Sequence, residues 1–155
     1  MRTVRSTPGQ PAAGGASAGS RRTITRSFPA TADHVRDARQ FLAQALGDCP
    51  LAGDALACLS ELAANSVLHS NSRRPGGCFT VRARLFPAGL RVEVEDEGGP
   101  WQRRPGPDDA CGRGLAIVGA LASAWSITGD GTSRTARFEI GASRIPPRPA
   151  RSPCR

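Results

Sequence analysis

Two segments of this chain, Cys78–Phe86 and Leu90–Glu95, alternate apolar and polar residues with period two across a short break, Pro87–Ala88–Gly89. The alternation predicts a β-hairpin with one buried and one solvated face. The apolar face needs cover, and the sequence offers it upstream. Thr31 can cap a helix running to about Leu46, with Val35, Ala38, Phe41, Leu42 and Ala45 at helical spacing. A second, strongly apolar helix is expected from Leu51 to about Ser70. Residues 71–77 read as a loop, and residues 97–113 as a long loop rich in Gly and Pro. Thr23–Phe28, Trp125–Thr128 and Thr135–Ile140 are further strand candidates, and Leu115–Ala122 a short helix. Helices followed by mostly sequential strands predict an α+β fold, a two-layer sandwich with helices on one face of a mixed, mostly antiparallel sheet.

The 155 residues suffice for one domain with a real core. Residues 1–21 and 142–155 are rich in Gly, Ala, Ser, Pro and Arg, a composition that predicts disordered basic tails around a domain at 22–141. Phe is scarce and Tyr absent, so the core is expected to be aliphatic. The net charge of +8 belongs to the ends: all 13 acidic residues, but only 12 of the 21 arginines, lie between Phe28 and Ile140. Such tails can touch nucleic acid or acidic partners, but a solvated tail is the plainer reading. Without a reader motif or an aromatic platform, a specific nucleic-acid function has no support. Cys49, Cys58, Cys78, Cys111 and Cys154 show no CxxC spacing, and read as reduced core thiols rather than a zinc site or disulfide frame. The absence of a long apolar run and of a secretory h-region makes a cytoplasmic protein the expectation.

The candidate chemistry begins in the second helix, Glu61-Leu-Ala-Ala-Asn65-Ser-Val-Leu-His69. Glu61 and Asn65, four apart, share a face at the edge of an apolar arc made by Ala55, Cys58, Leu59, Leu62 and Ser66. They can serve an inter-helix hydrogen bond, or an Asn carbonyl on a hard cation with a carboxylate to take a proton. His69 projects into the apolar arc and reads as a satisfied core histidine. In Leu90-Arg-Val-Glu-Val-Glu-Asp96, period two sets Asp96 on the face of Leu90, Val92 and Val94. A carboxylate there needs donors: it can form an Asx turn before Gly98, or accept from a purine amine with Gly98 letting the base approach. Gly112-Arg113-Gly114 stands directly ahead of the helix expected at Leu115, where amides can meet an anion. It is neither a Walker A loop nor a Rossmann fingerprint.

The order of these pieces, ExxxN on a helix, DxG ending a strand, a Gly/Pro loop, GxG and a last strand with Thr135, resembles the N, G1, G2 and G3 boxes of the GHKL (histidine-kinase-like) ATPase superfamily. Within it, "ELAANSVLHS", "VEVEDEGGPW" and "GRGLAIV" are similar to the anti-sigma-factor serine kinases and their small actinobacterial relatives, over about residues 24–140. The resemblance implies a Bergerat-type ATP-binding fold, with ATP and magnesium as cofactors. It implies that Asn65 ligates magnesium and that Glu61 is the general base for the attacking hydroxyl. By the same resemblance Asp96, with Gly98 beside it, reads the adenine amine, and Gly112 and Gly114 let the lid and helix start wrap the phosphates. Arg113 contacts a phosphate, and Thr135 supports Asp96 and the adenine. The chain departs from the pattern at Pro100, where many members have the second glycine of G1. It departs again at Arg134, where a glycine usually precedes the G3 threonine, and in a short lid, residues 99–111.

The function this implies is an ATP-binding regulator, an anti-sigma-factor serine/threonine kinase that phosphorylates an anti-anti-sigma partner and holds a sigma factor. Relatives of this kind are often homodimers. The alternative is a nucleotide-gated partner-binding module without significant turnover, in which ATP orders the lid. A sensor histidine kinase fits poorly, because no phosphoacceptor motif surrounds His34.

Overall fold

The computed structural model describes residues 22–99 and 110–141. The two tails, lid residues 100–109, Cys154 and the side chain of Cys111 lie outside the described residues. Strand β1 (Arg22–Pro29) leads into helices α1 (Ala32–Leu46) and α2 (Ala52–His69), then strands β2 (Cys78–Phe86) and β3 (Gly89–Asp96). Helix α3 (Ala110–Leu121) and strands β4 (Ala124–Gly129) and β5 (Arg134–Gly141) complete the domain.

The hairpin forms in the register its alternation demands. Val81 faces Val94, Ala83 faces Val92 and Leu85 faces Leu90, so their apolar side chains share one face. The sheet order is β1-β2-β3-β5-β4, and every pairing is antiparallel. The expected mixed sheet is thus corrected, for a topological reason. Crossing through α3 returns β4 in the direction of β3, but β5 folds back between them and runs against both.

The three helices cover one face of the sheet. α2 sits centrally and packs on α1, α3 and strands β2, β3 and β5. Its buried stripe is Ala55, Cys58, Leu59, Leu62, Ala63 and Ser66, and α1 adds Ala38, Leu42 and Leu46 at intervals of four. The uncovered face is polar, with Arg82 and Arg91 paired to Glu93 and Glu139. This is a two-layer α+β sandwich.

The core is less purely aliphatic than the composition suggests. Phe28, Phe79 and Phe138 are fully buried, and Phe28 stacks on Phe79 at 5.6 Å while meeting Phe41 edge-on at 5.8 Å. Few aromatics are present, but the sheet places these three inside, while Trp125 on β4 is exposed. Thr31 is the N-cap of α1, yet its hydroxyl bonds His34 Nδ1 at 2.6 Å instead of a helix amide. His69 is exposed at the end of α2, not a core histidine, because it lies off the face of that turn that Ser66 buries against β3. Cys58 is a core thiol, Cys49 is half-buried, and Cys78 is exposed at the start of β2, contrary to the core reading. Burial first, then the nearby Asp54 carboxylate, push the Cys58 thiol up to about 11, so it stays protonated and inert at neutral pH. No helix among the described residues is long and apolar enough to cross a membrane.

Candidate functional site

One end of the sheet gathers the C-terminus of α2, the end of β3, the start of α3 and the β4–β5 turn. The C-terminal end of α2 is stitched there. Beyond it, the expected loop contains a 3-10 turn, Asn71–Arg73. The Asn71 side-chain amide donates to the Gly131 carbonyl at 2.9 Å, and its backbone amide donates to the Gly98 carbonyl at 2.8 Å. Ser72 is buried, donating to the Cys78 carbonyl and accepting from the Glu97 amide.

Asp96 lies on the core face as period two requires, and its residue exposure is only 6%. Its donors all come from this protein. Oδ1 accepts from the Gly98 amide at 2.9 Å, an Asx turn. Oδ2 accepts from Ser66 Oγ at 2.7 Å and from Arg134 Nη2 and Nε at 2.7 and 3.2 Å. The side chains of Asp96 and Arg134 are both more than nine-tenths buried. Gly98 has φ of +65°, and a Cβ there would run into the backbone of Asp130, Thr132 and Ser133. Its small size therefore seats the β4–β5 turn. That turn is fastened by Asp130 Oδ1, which accepts from the Thr132 amide and hydroxyl and the Ser133 amide. These bonds, the Thr132 amide foremost, hold the Asp130 carboxyl below its usual range.

Thr135 does not support Asp96. In the β3–β5 register Arg134 is the residue opposite Asp96, and Thr135 faces Glu95. Arg134 shares the inward row of Ala136, Phe138 and Ile140, and one step along a strand turns the side chain to the other face. Thr135 instead lines an open-face groove of about 300 Å³ with Arg82, Glu93, Ser126, Thr128 and Arg137. This groove lies between the solvated side chains of the sheet, away from the helices.

Glu61 and Asn65 are half-buried, one turn apart on α2. Asn65 borders a small cavity shared with Leu62, Ser66, Asp96, Ile127 and Arg134. Glu61 lies against α3, where Gly114 is buried and a Cβ would overlap the Glu61 carboxylate. α3 begins at Ala110, so Gly112-Arg113-Gly114 lies inside the helix and not ahead of it. Gly112 is in the first turn, whose amides have no intrahelical acceptor. Arg113 is exposed. The structure thus brings together Glu61, Asn65, Asp96, Gly98 and Gly114, and leaves Thr135 out. Ser66 and Arg134, the partners of Asp96, were not expected from the sequence. The signals for Arg134 were its departure from the usual glycine and its place in the alternating row of β5.

The domain belongs with known proteins. The histidine kinase-like ATPase domain family matches residues 28–138. The chain belongs to this family. Among solved structures, the RsbU and RsbW domains of Rv1364c from Mycobacterium tuberculosis match this chain with a TM-score of 0.60 and 23% identity. The match covers 77% of this chain but 32% of that one, so the chain spans about a third of that structure's length, and the likeness is one of fold. No curated protein sequence matches.

A histidine kinase-like ATPase domain implies ATP binding, and the two halves of an ATP fit this site unequally. The phosphate side fits. Glu61 lies against Gly114 of α3, whose lack of a side chain leaves room for the carboxylate, and Asn65 stands one turn further along α2 at the Asp96 cavity. Among the described residues no group of three His, Cys, Asp or Glu side chains converges to hold an ion. Magnesium here would rest on Asn65, water and phosphate oxygens, a usual arrangement for that ion. The base side does not fit as it stands. The cavity at Asp96 is about 10 Å³, room for about one water and no base.

Proposed function

We propose that this domain is an ATP-dependent regulator of the anti-sigma-factor serine/threonine kinase type. The observation that carries the reading is the alignment of Glu61 and Asn65 on one face of α2, set against Gly114 of α3 and continuous with the Asp96 cavity. Magnesium, when bound, supplies positive charge to the phosphate oxygens. The Asn65 carbonyl would be its protein ligand. The Glu61 carboxylate would accept the proton of an attacking serine hydroxyl. The amides of the first turn of α3, around Gly112, would face the phosphates, with Arg113 alongside. Much of the catalysis of phosphoryl transfer is positioning and charge stabilisation, which a rigid helix pair can supply. The substrate in this reading is a serine on an anti-anti-sigma protein, and the second partner a sigma factor. Support comes from the family and from the fold shared with a structure holding an RsbW domain.

A second reading has its own observation in the filled cavity at Asp96. In it the domain holds partners under nucleotide control with little turnover. Incubation with labelled ATP, magnesium and purified anti-anti-sigma proteins separates the two. Phosphoserine formation that is lost in Glu61→Ala supports the kinase. Association without phosphoserine supports the binding module, and transfer by Glu61→Ala at the wild-type rate removes Glu61 as base.

A further inference from the structure

The residue that decides what the base side accepts is Arg134. It stands directly opposite Asp96 in the β3–β5 register, so the ion pair is built by the sheet itself. Its guanidinium is always charged and only donates. Asp96 Oδ2 already takes three donors from Ser66 and Arg134, and Oδ1 accepts from the Gly98 amide. An adenine presents a donor amine at this point, and so meets a carboxylate in use and a cation beside it. The same side chain lines the cavity of about 10 Å³ together with Leu62, Asn65 and Ile127.

We propose that Arg134 is a specificity-determining residue that removes adenine selection: the site holds nucleoside triphosphates through its phosphate side and does not distinguish ATP from GTP. This rests on the reading that the site takes a triphosphate at all, and refines which class it takes.

Calorimetry on the full chain with magnesium tests this, using ATP, GTP and inorganic tripolyphosphate. The wild-type protein is expected to bind ATP and GTP within about threefold of each other, a difference smaller than one hydrogen bond contributes. Arg134→Thr is expected to tighten ATP by about tenfold or more, the worth of a hydrogen bond to a charged acceptor, and to leave GTP unchanged. Arg134→Gln should move ATP in the same direction. A wild-type preference for ATP of about tenfold or more, or an ATP-to-GTP ratio unmoved by both substitutions, overturns the proposal while leaving the triphosphate site standing. If neither nucleotide nor tripolyphosphate binds the wild type or the variants, the site reading itself falls and the proposal with it. Should both variants fail to fold, the wild-type ratio alone decides.

Discussion

Removing the Asp96 carboxylate and removing the Arg134 guanidinium should cost different amounts of stability. Asp96→Ala strips a buried guanidinium of the carboxylate it holds through two bonds, at 2.7 and 3.2 Å. It also cuts the bonds from Ser66 and Gly98. Breaking one side of a buried ion pair typically costs about 3–5 kcal/mol. Arg134→Thr breaks the same pair but leaves the carboxylate with the Ser66 hydroxyl and the Gly98 amide, so its cost should fall at or just below the low end of that range, about 2–3 kcal/mol. The double variant leaves no ion buried alone, and should be more stable than Asp96→Ala by about 1–2 kcal/mol. Urea unfolding followed by far-UV circular dichroism measures all four corners of this cycle. Additivity within about 0.5 kcal/mol, the behaviour of independent sites, would refute the pair.

Two further outcomes follow from other parts of the molecule. Gly114→Ala removes a helix glycine, which should raise stability by up to about 1 kcal/mol. Because the new Cβ displaces the Glu61 carboxylate, labelled-phosphate transfer should fall even as the melting temperature holds or rises. The second concerns alkaline pH. The chain has no Lys and no Tyr, so its thiols dominate side-chain titration there. Folding raises the Cys58 pKa from 9.0 to about 11, so above pH 9 the unfolded state sheds a proton that the folded state keeps. Stability is therefore unaffected below the unfolded value and falls between the two, by about 1.4 kcal/mol per pH unit. Urea unfolding from pH 8 to 10.5 should show this decline, and Cys58→Ala should flatten it.

The hairpin and the second helix were legible because their periods are long and clean, and Asp96 followed from the same count. The family motif sets Thr135 beside Asp96, but the alternation of β5 puts Arg134 there. Counting back from Ile140, Phe138 and Ala136 reaches Arg134. α3 starts earlier than the glycines at 112 and 114 suggest, because packing against α2 overrides their low helix propensity. Ser66 looked like a small filler of an apolar stripe. Its role depends on a carboxylate 30 residues away, a contact that only tertiary structure creates. His69 failed for a related reason: helical projection places a residue on an arc, but cannot say how much of that arc is covered.

Magnesium-dependent triphosphate binding by Asn65→Ala tests the site most directly, because Asn65 joins the phosphate side to the Asp96 cavity. Calorimetry with ATP or tripolyphosphate, with and without magnesium, should show that the variant folds as the wild type does but loses the magnesium-dependent part of the affinity. An Asn65→Ala protein that binds triphosphate with the same magnesium dependence as the wild type would contradict the site.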